Sequence, residues 1–409
     1  MSVENLKYLM IAVVVFGFLV EKILGFLNVK NPVPNVPDTL AGYLDRTKLE
    51  ESKAYQRENF RFRIIETMFS LVLTLAFISQ GWFGAMDNWL ATFGYSTLTM
   101  SLLFFGLIFV ASDLLSIPFD WYKTFVIEEK FGFNKTSHMT FFTDRIKGYG
   151  LAIVIGGGLL LVFLWLIEQV GANFWWQFWI VSAVFMVLIN LFYTSWILPL
   201  FNKLTPLEDG ELKQKIMAYA RKVDFPLDNI FVIDGSKRSA KANAFFSGLG
   251  KRKKVVLYDT LIEQHSTDEL VAVLAHEVGH FKKKHIVWGM VISVVQVGLM
   301  LYLLGQFVFS ETISSALGGE TWSVALNLIG FSLLISPIST VLGMAMNWLS
   351  RKNEFEADEF AKTTFAGVPL AAALKTLSVK SLSNINPHPW YVFVNYSHPP
   401  LLERLERLE

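Results

Sequence analysis

A histidine-bearing stretch runs directly into an apolar one in AVLAHEVGHFKKKHIVWGMVISVVQVGLMLYLLGQFVF, residues 272–309. Its first part carries His276 and His280 four positions apart and then three lysines, whereas residues 286–309 contain no charged side chain. About 20 apolar residues are enough for a helix to cross the roughly 30 Å hydrocarbon core of a bilayer. The segment therefore predicts a membrane helix with a polar helix, bearing two potential metal ligands, at its mouth.

The whole chain has the composition of a membrane protein. Of its 409 residues, 53% are hydrophobic and only 17% are charged, and the mean hydropathy is +0.42, whereas about a quarter of the residues in a soluble domain are charged. The net charge of +1 provides no overall basic field for binding nucleic acid. Because cysteine is absent, disulfides, thiolate metal sites and a cysteine nucleophile are excluded, and a metal would need histidine and carboxylate ligands.

Apolar stretches and basic loops together predict an all-α polytopic fold with about seven membrane helices. The loops between spans one and two, three and four, and five and six contain seven, five and fifteen Lys or Arg residues, and the tail after span seven contains seven. These 34 of the 36 basic residues lie on one side, which the positive-inside rule assigns to the cytosol, so the amino terminus is expected outside. The seven spans are residues 6–26, 64–83, 97–119, 148–170, 174–200, 286–309 and 323–348.

The longest basic loop is predicted to form a small α/β subdomain. It has a helical pattern over 210–225, short strands with a glycine turn within 229–262, and a helix that begins after Ser266 and has Glu269 as the partner in a capping box. The chain then divides into four segments: 1–200 with spans one to five, 201–285 with the cytosolic subdomain, 286–348 with spans six and seven, and 349–409 as a cytosolic carboxyl-terminal segment.

The motif HEVGH, residues 276–280, has the spacing of a helical zinc site. Residues four apart share one helix face, so both imidazoles can bind one cation while Glu277 projects beside them toward a water molecule. Zinc with three protein ligands keeps a position for water and lowers the pKa of that water to about 7, and a nearby carboxylate can act as general base. The motif predicts one zinc ion per chain, with Glu277 as the base and a third ligand from elsewhere.

Candidates for the third ligand follow the last span in SRKNEFEADEFAKTTF, residues 350–365. Glu354 and Asp358 are four apart, so one could bind metal while the other accepts a hydrogen bond from a ligand histidine. Glu356 and Glu359 have the same chemistry, and an ordinary acidic amphipathic helix would show the same pattern. His285, which follows three lysines, has the character of a polar residue at the membrane interface. Spacing alone does not choose among these residues.

Several longer stretches match one known family. They are AHEVGHFKKKH followed by two apolar helices and NEFEADEFA, together with WYKTFVIEEKFGFNKTS (121–137), PLFNKLTPL (199–207), SKRSAKANAFFSG (236–248) and NYSHPPLLERL (395–405). On these stretches the sequence resembles the integral-membrane CAAX prenyl proteases of the zinc type over nearly its whole length.

The resemblance implies roles for residues that spacing left open. In the family's motif the third zinc ligand falls on Glu354 and its supporting partner on Asp358. His398 and Arg404 match residues that stabilise the developing oxyanion and organise the site, which suits an imidazole and a guanidinium. Without the resemblance, His398 before two prolines would be an ordinary turn residue.

The family's substrate strand falls on Asn243 and Ala244, where a peptide would pair through its main chain, although ANAFF by itself is a simple buried strand. The resemblance also implies a barrel of helices around a water-filled chamber with the zinc site at its cytosolic end, so that water reaches the metal without crossing lipid. Polar residues in or near the spans fit this arrangement, since such residues face protein or water, although a single Asn or Gln could equally join two packed helices. They are Glu66, Asp113, Glu168, Asn190, Gln296, Asn327 and Asn347.

These features predict a zinc endopeptidase that acts as a monomer in the lipid bilayer, with its active site on the cytosolic side. The resemblance implies removal of the carboxyl-terminal tripeptide of prenylated proteins, in the inner membrane of a bacterium or the endoplasmic reticulum of a eukaryote. One alternative is a membrane quality-control zinc protease acting on non-prenylated peptides, which would have fewer spans and no stretch like FVIEEKFGFNK. Another is a transporter or receptor with an inactive metal site, which would have no need of Glu277.

Overall fold

Long apolar helices dominate the computed structural model, which describes residues 1–32, 35–247 and 253–409. The first two hundred residues contain α1 (Val3–Lys30), α2 (Arg46–Ser79), α3 (Trp82–Ala91), α4 (Thr97–Tyr122), α5 (His138–Leu151), α6 (Gly158–Val170), α7 (Phe174–Phe192) and α8 (Leu198–Phe201). Short 3₁₀ or π-helical turns continue several of them, at Lys123–Glu128, Ala152–Gly157, Gly171–Asn173 and Tyr193–Ile197.

The second half alternates a mixed subdomain with further helices. The subdomain contains β1 (Leu204–Pro206), α9 (Glu211–Lys222), β2 (Leu227–Ile233), β3 (Ala244–Ser247), β4 (Lys253–Tyr258), α10 (Asp259–Gln264) and α11 (Thr267–Lys282). It is followed by α12 (His285–Phe307), α13 (Glu311–Ala316), α14 (Val324–Thr364), α15 (Gly367–Lys380), α16 (Pro389–Asn395) and α17 (Leu401–Leu408).

Six helical segments of the described chain have the length and composition of a membrane span. The fourth, His138–Phe201, covers 64 residues, which at 1.5 Å per residue would be about 96 Å long and roughly three times the thickness of a hydrocarbon core. It divides at Gly171, whose φ of +59° lies in the turn between α6 and α7. The two legs correspond to the fourth and fifth spans expected from sequence, so the prediction of about seven is confirmed.

The second span ends earlier than its apolar sequence suggests. Helix α2 stops at Ser79, Gly81 takes a left-handed φ of +68°, and α3 begins as a separate helix. Helix α3 packs closely on a neighbouring loop, because a Cβ atom at Gly84 would lie only 1.9 Å from the carbonyl carbon of Gly318. The prediction of a continuous span to residue 83 is therefore wrong at this end.

The last membrane helix continues well beyond its predicted span. Helix α14 has 41 residues and is about 60 Å long at 1.5 Å per residue, whereas the apolar stretch ends near residue 348. The acidic residues that follow the span therefore lie on the same continuous helix. Their positions are set by the packing of that helix rather than by a loop.

The subdomain sheet has four strands in the order β1-β2-β4-β3. Two of the short strands expected from sequence are β3 and β4, which pair antiparallel, and the predicted glycine turn falls on residues 248–252, outside the described residues. Strand β2 pairs in parallel with β4, and β1, which was not predicted as a strand, pairs antiparallel with β2. Since β3 ends the strand order, the described sheet leaves one of its edges open.

Helix α11 occupies the centre of the subdomain core. It begins as predicted, with a capping box. The side chain of Ser266 accepts a hydrogen bond from the Glu269 backbone N–H, and the Glu269 side chain accepts one from the Ser266 backbone N–H. Helices α9, α14 and α15 all pack against it. Its buried residues include Leu270, Val271, Ala272, Leu274, Ala275 and Val278.

Three of the polar residues within spans contact neighbouring protein in the described chain, and one of them, Asp113, forms an ion pair with Arg145 at 2.8 Å. Asn327 donates to the carbonyl oxygen of Val308 at 2.7 Å, and Asn347 donates to that of Val394 at 2.7 Å. Both asparagines therefore join two segments of the chain. This is the packing role expected as the alternative to facing a water-filled chamber.

Candidate metal centre

His276, His280 and Glu354 form a group of three potential metal ligands in the described chain. Both histidines lie one turn apart on α11, and Glu354 comes from α14, which crosses it. The Nε2 atoms of the two histidines are 3.2 Å apart. Oε1 of Glu354 lies 3.2 Å from Nε2 of His280, and Oε2 lies 3.5 Å from Nε2 of His276.

These separations fit a tetrahedral zinc ion. Ligand atoms that each lie about 2.0–2.2 Å from a tetrahedral zinc are about 3.3 Å from one another. The two histidine nitrogens are 3.2 Å apart, and each has one oxygen of Glu354 nearby, Oε1 at 3.2 Å from His280 and Oε2 at 3.5 Å from His276. Oε2 of Glu354 is also buried without a hydrogen-bond partner. Nδ1 of His398 lies 2.9 Å from this oxygen and Nη1 of Arg404 lies 3.4 Å from it, but neither contact has the geometry of a hydrogen bond. A cation would satisfy this oxygen.

Asp358 lies behind His276 rather than among the ligand atoms. Its Oδ1 is 2.8 Å from Nδ1 of His276, and the buried Arg404 holds both of its oxygens at 2.8 and 2.6 Å. Burial by itself lowers the pKa of His276, but the contacts with Asp358 and Glu354 outweigh burial and raise that pKa to about 9. The carboxylate therefore orients the imidazole with its other nitrogen toward the ligand group, which is the usual arrangement behind a metal-binding histidine.

Glu277 is half-buried beside the ligand group. Burial raises the pKa of this carboxyl above its ordinary range, against the opposing influence of His276 and His280. A carboxylate whose pKa is raised toward neutrality is better matched to taking up and releasing a proton during catalysis.

His398 and Arg404 reach the site from the carboxyl-terminal segment and occupy different environments. The His398 side chain is 66% exposed, and its Nδ1 lies 2.9 Å from Glu354. Arg404 is buried and engaged with Asp358. Helix α14 holds this segment in place, because Arg351 donates to the carbonyl oxygens of Val392 and Tyr396.

Asn243 and Ala244 lie at the start of β3, the strand at the open end of the sheet order. The Asn243 carbonyl oxygen accepts from the backbone of Tyr258, and the Asn243 side chain accepts from the backbone of Ala244. The two residues thus begin a strand whose other edge has no strand partner among the described residues.

A polar cluster just before β3 was not found by sequence reasoning. Lys241 Nζ lies 2.9 Å from both Tyr55 Oη and Glu128 Oε2, and 4.3 Å from the centre of the Phe133 ring. Tyr55 also donates to Glu128 at 2.6 Å. The cluster connects two membrane-proximal segments to the strand, and its only sequence signal was that WYKTFVIEEKFGFNKTS and SKRSAKANAFFSG both belong to the matched stretches.

Of the acidic residues left open by spacing, Glu354 alone joins the ligand group among the described residues, and Asp358 contacts His276 from behind. Glu359 is exposed. Glu356 and His285 instead contact each other, and His285 also contacts His280.

Comparisons with known proteins identify the family of the chain. Residues 26–203 match the family model described as CAAX prenyl protease N-terminal, five membrane helices, and residues 206–409 match Peptidase family M48. Similar proteins include CAAX prenyl protease 1 of Saccharomyces cerevisiae, 37% identical over 91% of this chain and 88% of that protein. The homolog from Homo sapiens is 32% identical over 92% and 89%. The crystal structure of S. mikatae Ste24p superposes with a TM-score of 0.94 at 35% identity, covering 99% of both chains.

Proposed function

Because the chain belongs to the CAAX prenyl protease 1 family, within peptidase family M48, we propose that it removes the carboxyl-terminal tripeptide of prenylated proteins. The chain is a multi-pass membrane metalloprotease of this family. The observation that carries the proposal is the convergence of His276, His280 and Glu354, whose potential ligand atoms all lie within 4.8 Å of one another, with Glu277 beside them.

We assign one zinc ion to His276, His280 and Glu354. When bound there, zinc would polarise a peptide carbonyl as a Lewis acid and acidify water. All three ligands come from one chain, so a monomer suffices for the site.

Glu277 accepts the proton of the attacking water and passes it to the leaving amine nitrogen. His398, on the exposed side of the ligand group, offsets the negative charge that develops on the carbonyl oxygen. Arg404 holds Asp358, and Asp358 holds His276, so these two residues position a metal ligand.

The open edge of β3 supports an assignment of peptide binding to Asn243 and Ala244. A peptide that lies along the edge of a sheet forms main-chain hydrogen bonds that do not depend on its sequence. Specificity would then come from the prenyl group and the carboxyl terminus rather than from the side chains along the strand.

We place the active site on the cytosolic side, because α11 belongs to the most basic loop and is separated from a membrane helix by only two residues, Lys283 and Lys284. In four of the six span segments only 6% of the residues in the apolar window are buried. These windows therefore offer surface both to lipid and to the interior of the protein, and we propose that the interior surface lines the water-filled chamber.

The test compares a farnesylated CAAX peptide with its unprenylated twin, using the purified protein with and without a chelator. We expect cleavage of the farnesylated peptide only, and loss of that cleavage in chelator. Equal cleavage of both peptides would favour the quality-control protease, and cleavage that persists in chelator would exclude the metal mechanism.

A further inference from the structure

His285 lies behind the ligand His280 in the same way that Asp358 lies behind His276. Nδ1 of His285 is 3.0 Å from Nδ1 of His280, and Nε2 of His285 is 3.3 Å from Oε2 of Glu356. The His285 side chain is only 9% exposed. These contacts form a continuous row of polar atoms from the ligand group to Glu356 on α14.

The hydrogen positions in this row follow from the ligand geometry. Nε2 of His280 faces the other ligand atoms at 3.2 Å, so its Nδ1 carries the hydrogen of the neutral ring. That N–H can donate to Nδ1 of His285 only if this nitrogen carries no hydrogen and can act as the acceptor. His285 then carries its own hydrogen on Nε2, facing Glu356, which accepts it. Each of the four ring nitrogens then has one partner, and no two hydrogens point at each other.

The junction between helices directs His285 toward the site. Lys284, between α11 and α12, adopts a left-handed conformation with a φ of 61°, which is uncommon for a residue with a side chain. The turn brings the first residue of α12 back beside His280, five positions earlier in the chain. If α11 continued without a turn, residue 285 would point away from His280. Five residues correspond to about 500° of helical rotation, which is about 140° more than one full turn.

We propose that His285 and Glu356 form a second positioning chain that fixes the tautomer and orientation of the metal ligand His280. Two carboxylates of α14 then serve the two ligand histidines: Asp358 contacts His276 directly, and Glu356 acts on His280 through His285. This inference rests on the proposed assignment of the metal ligands and goes beyond it, since neither His285 nor Glu356 belongs to the ligand group.

The test measures zinc affinity of the purified, metal-stripped full-length protein by competition with a chelator. His285→Phe keeps a ring of similar size but removes both nitrogens, and we expect it to weaken zinc binding about 10- to 100-fold. His285→Gln keeps one acceptor and one donor, so it should recover part of the loss. Glu359→Ala is the matched control and should bind zinc like the wild type, because Glu359 lies on α14 with Glu356 but is exposed.

The double variant separates a positioning chain from two independent contacts. If Glu356 acts only through His285, then His285→Phe with Glu356→Ala should bind zinc no more weakly than His285→Phe alone. Thermal unfolding of each metal-free variant, expected to match the wild type, separates loss of positioning from loss of fold, and His285→Gln carries the test if His285→Phe does not fold.

Unchanged zinc affinity in a folded His285→Phe variant, or additive losses in the double variant, would overturn the positioning chain. Zinc binding that survives Glu354→Gln unchanged would instead overturn the underlying ligand assignment. The two failures are therefore distinguishable.

Discussion

Gly279 in α11 lies directly against the backbone of Ala357 in α14: a Cβ atom at Gly279 would come within 2.9 Å of the Ala357 Cα atom and 3.1 Å of its carbonyl oxygen. The two helices can approach this closely only because position 279 has no side chain. His280, which follows Gly279, and Glu354, which lies about one helical turn before Ala357, thereby come within 3.2 Å of each other. The glycine of the HEVGH motif thus allows the proposed third ligand to approach the two histidines.

Gly279→Ala should push the two helices apart and weaken zinc binding. The clash is with backbone atoms, which cannot rotate away, and overpacking of this kind costs about 1–3 kcal/mol of stability. The measurements are thermal unfolding and zinc affinity. Gly289→Ala is the control, since a Cβ atom there meets nothing within 4 Å. Wild-type zinc affinity in Gly279→Ala would contradict the close-approach argument.

Glu277→Gln should keep zinc but lose turnover. The side chain is not among the ligand atoms, and removing general-base catalysis typically lowers the rate by about 10² to 10⁴. Glu354→Gln should lose zinc instead, because a neutral amide is a poor ligand. Metal analysis of both variants checks this distinction, and equal loss of zinc from the two would mean that the roles are wrongly assigned.

Asp358→Asn should weaken zinc binding without abolishing activity in excess zinc. The amide oxygen can still accept from His276, although the charge that pairs with Arg404 is gone. Loss of such a supporting partner costs about 10- to 100-fold in metal affinity. The readout is activity as a function of added zinc. Recovery of Glu354→Gln but not of Asp358→Asn would indicate that the two carboxylates have exchanged roles.

Lys241→Met should impair peptide binding while leaving the zinc content unchanged. It removes the cation that joins Tyr55 and Glu128 to the residues leading into β3. A hydrogen bond to a charged group contributes about 1.5–3 kcal/mol, so we expect kcat/KM to fall roughly 10-fold or more, mainly through KM. Lys237→Met is the control, because Lys237 is exposed in the same loop. A lower kcat at unchanged KM would argue against a role in holding the strand.

Single cysteines should report the orientation of the chain in the membrane. The natural sequence has no cysteine, so each variant carries one labelling site. Cysteine at the exposed Ser315 should react with an impermeant reagent only from outside, and cysteine at Lys237 only from the cytosol. Ser314 is unsuitable because it is buried and contacts Asn327. The reverse labelling pattern would overturn the proposed cytosolic active site.

The amino-acid sequence by itself determined the membrane helices, the capped helix that begins after Ser266 and the pairing of His276 with His280. These features depend on local periodicity and on apolar length, which can be read along the chain without knowing what packs against it. It left Glu354, Asp358, Glu356 and Glu359 equivalent, since they share one helix and one chemistry, and only the family resemblance distinguished them.

The tertiary structure decided where each of these carboxylates lies relative to the two histidines. The crossing of α11 and α14 places Glu354 among the ligands and Asp358 behind His276. The left-handed turn at Lys284 then directs His285 toward His280 and Glu356 rather than leaving it as an interface residue. Residues separated by some seventy positions have no periodic relationship in sequence, so their partnership depends on helix packing and on a single backbone turn.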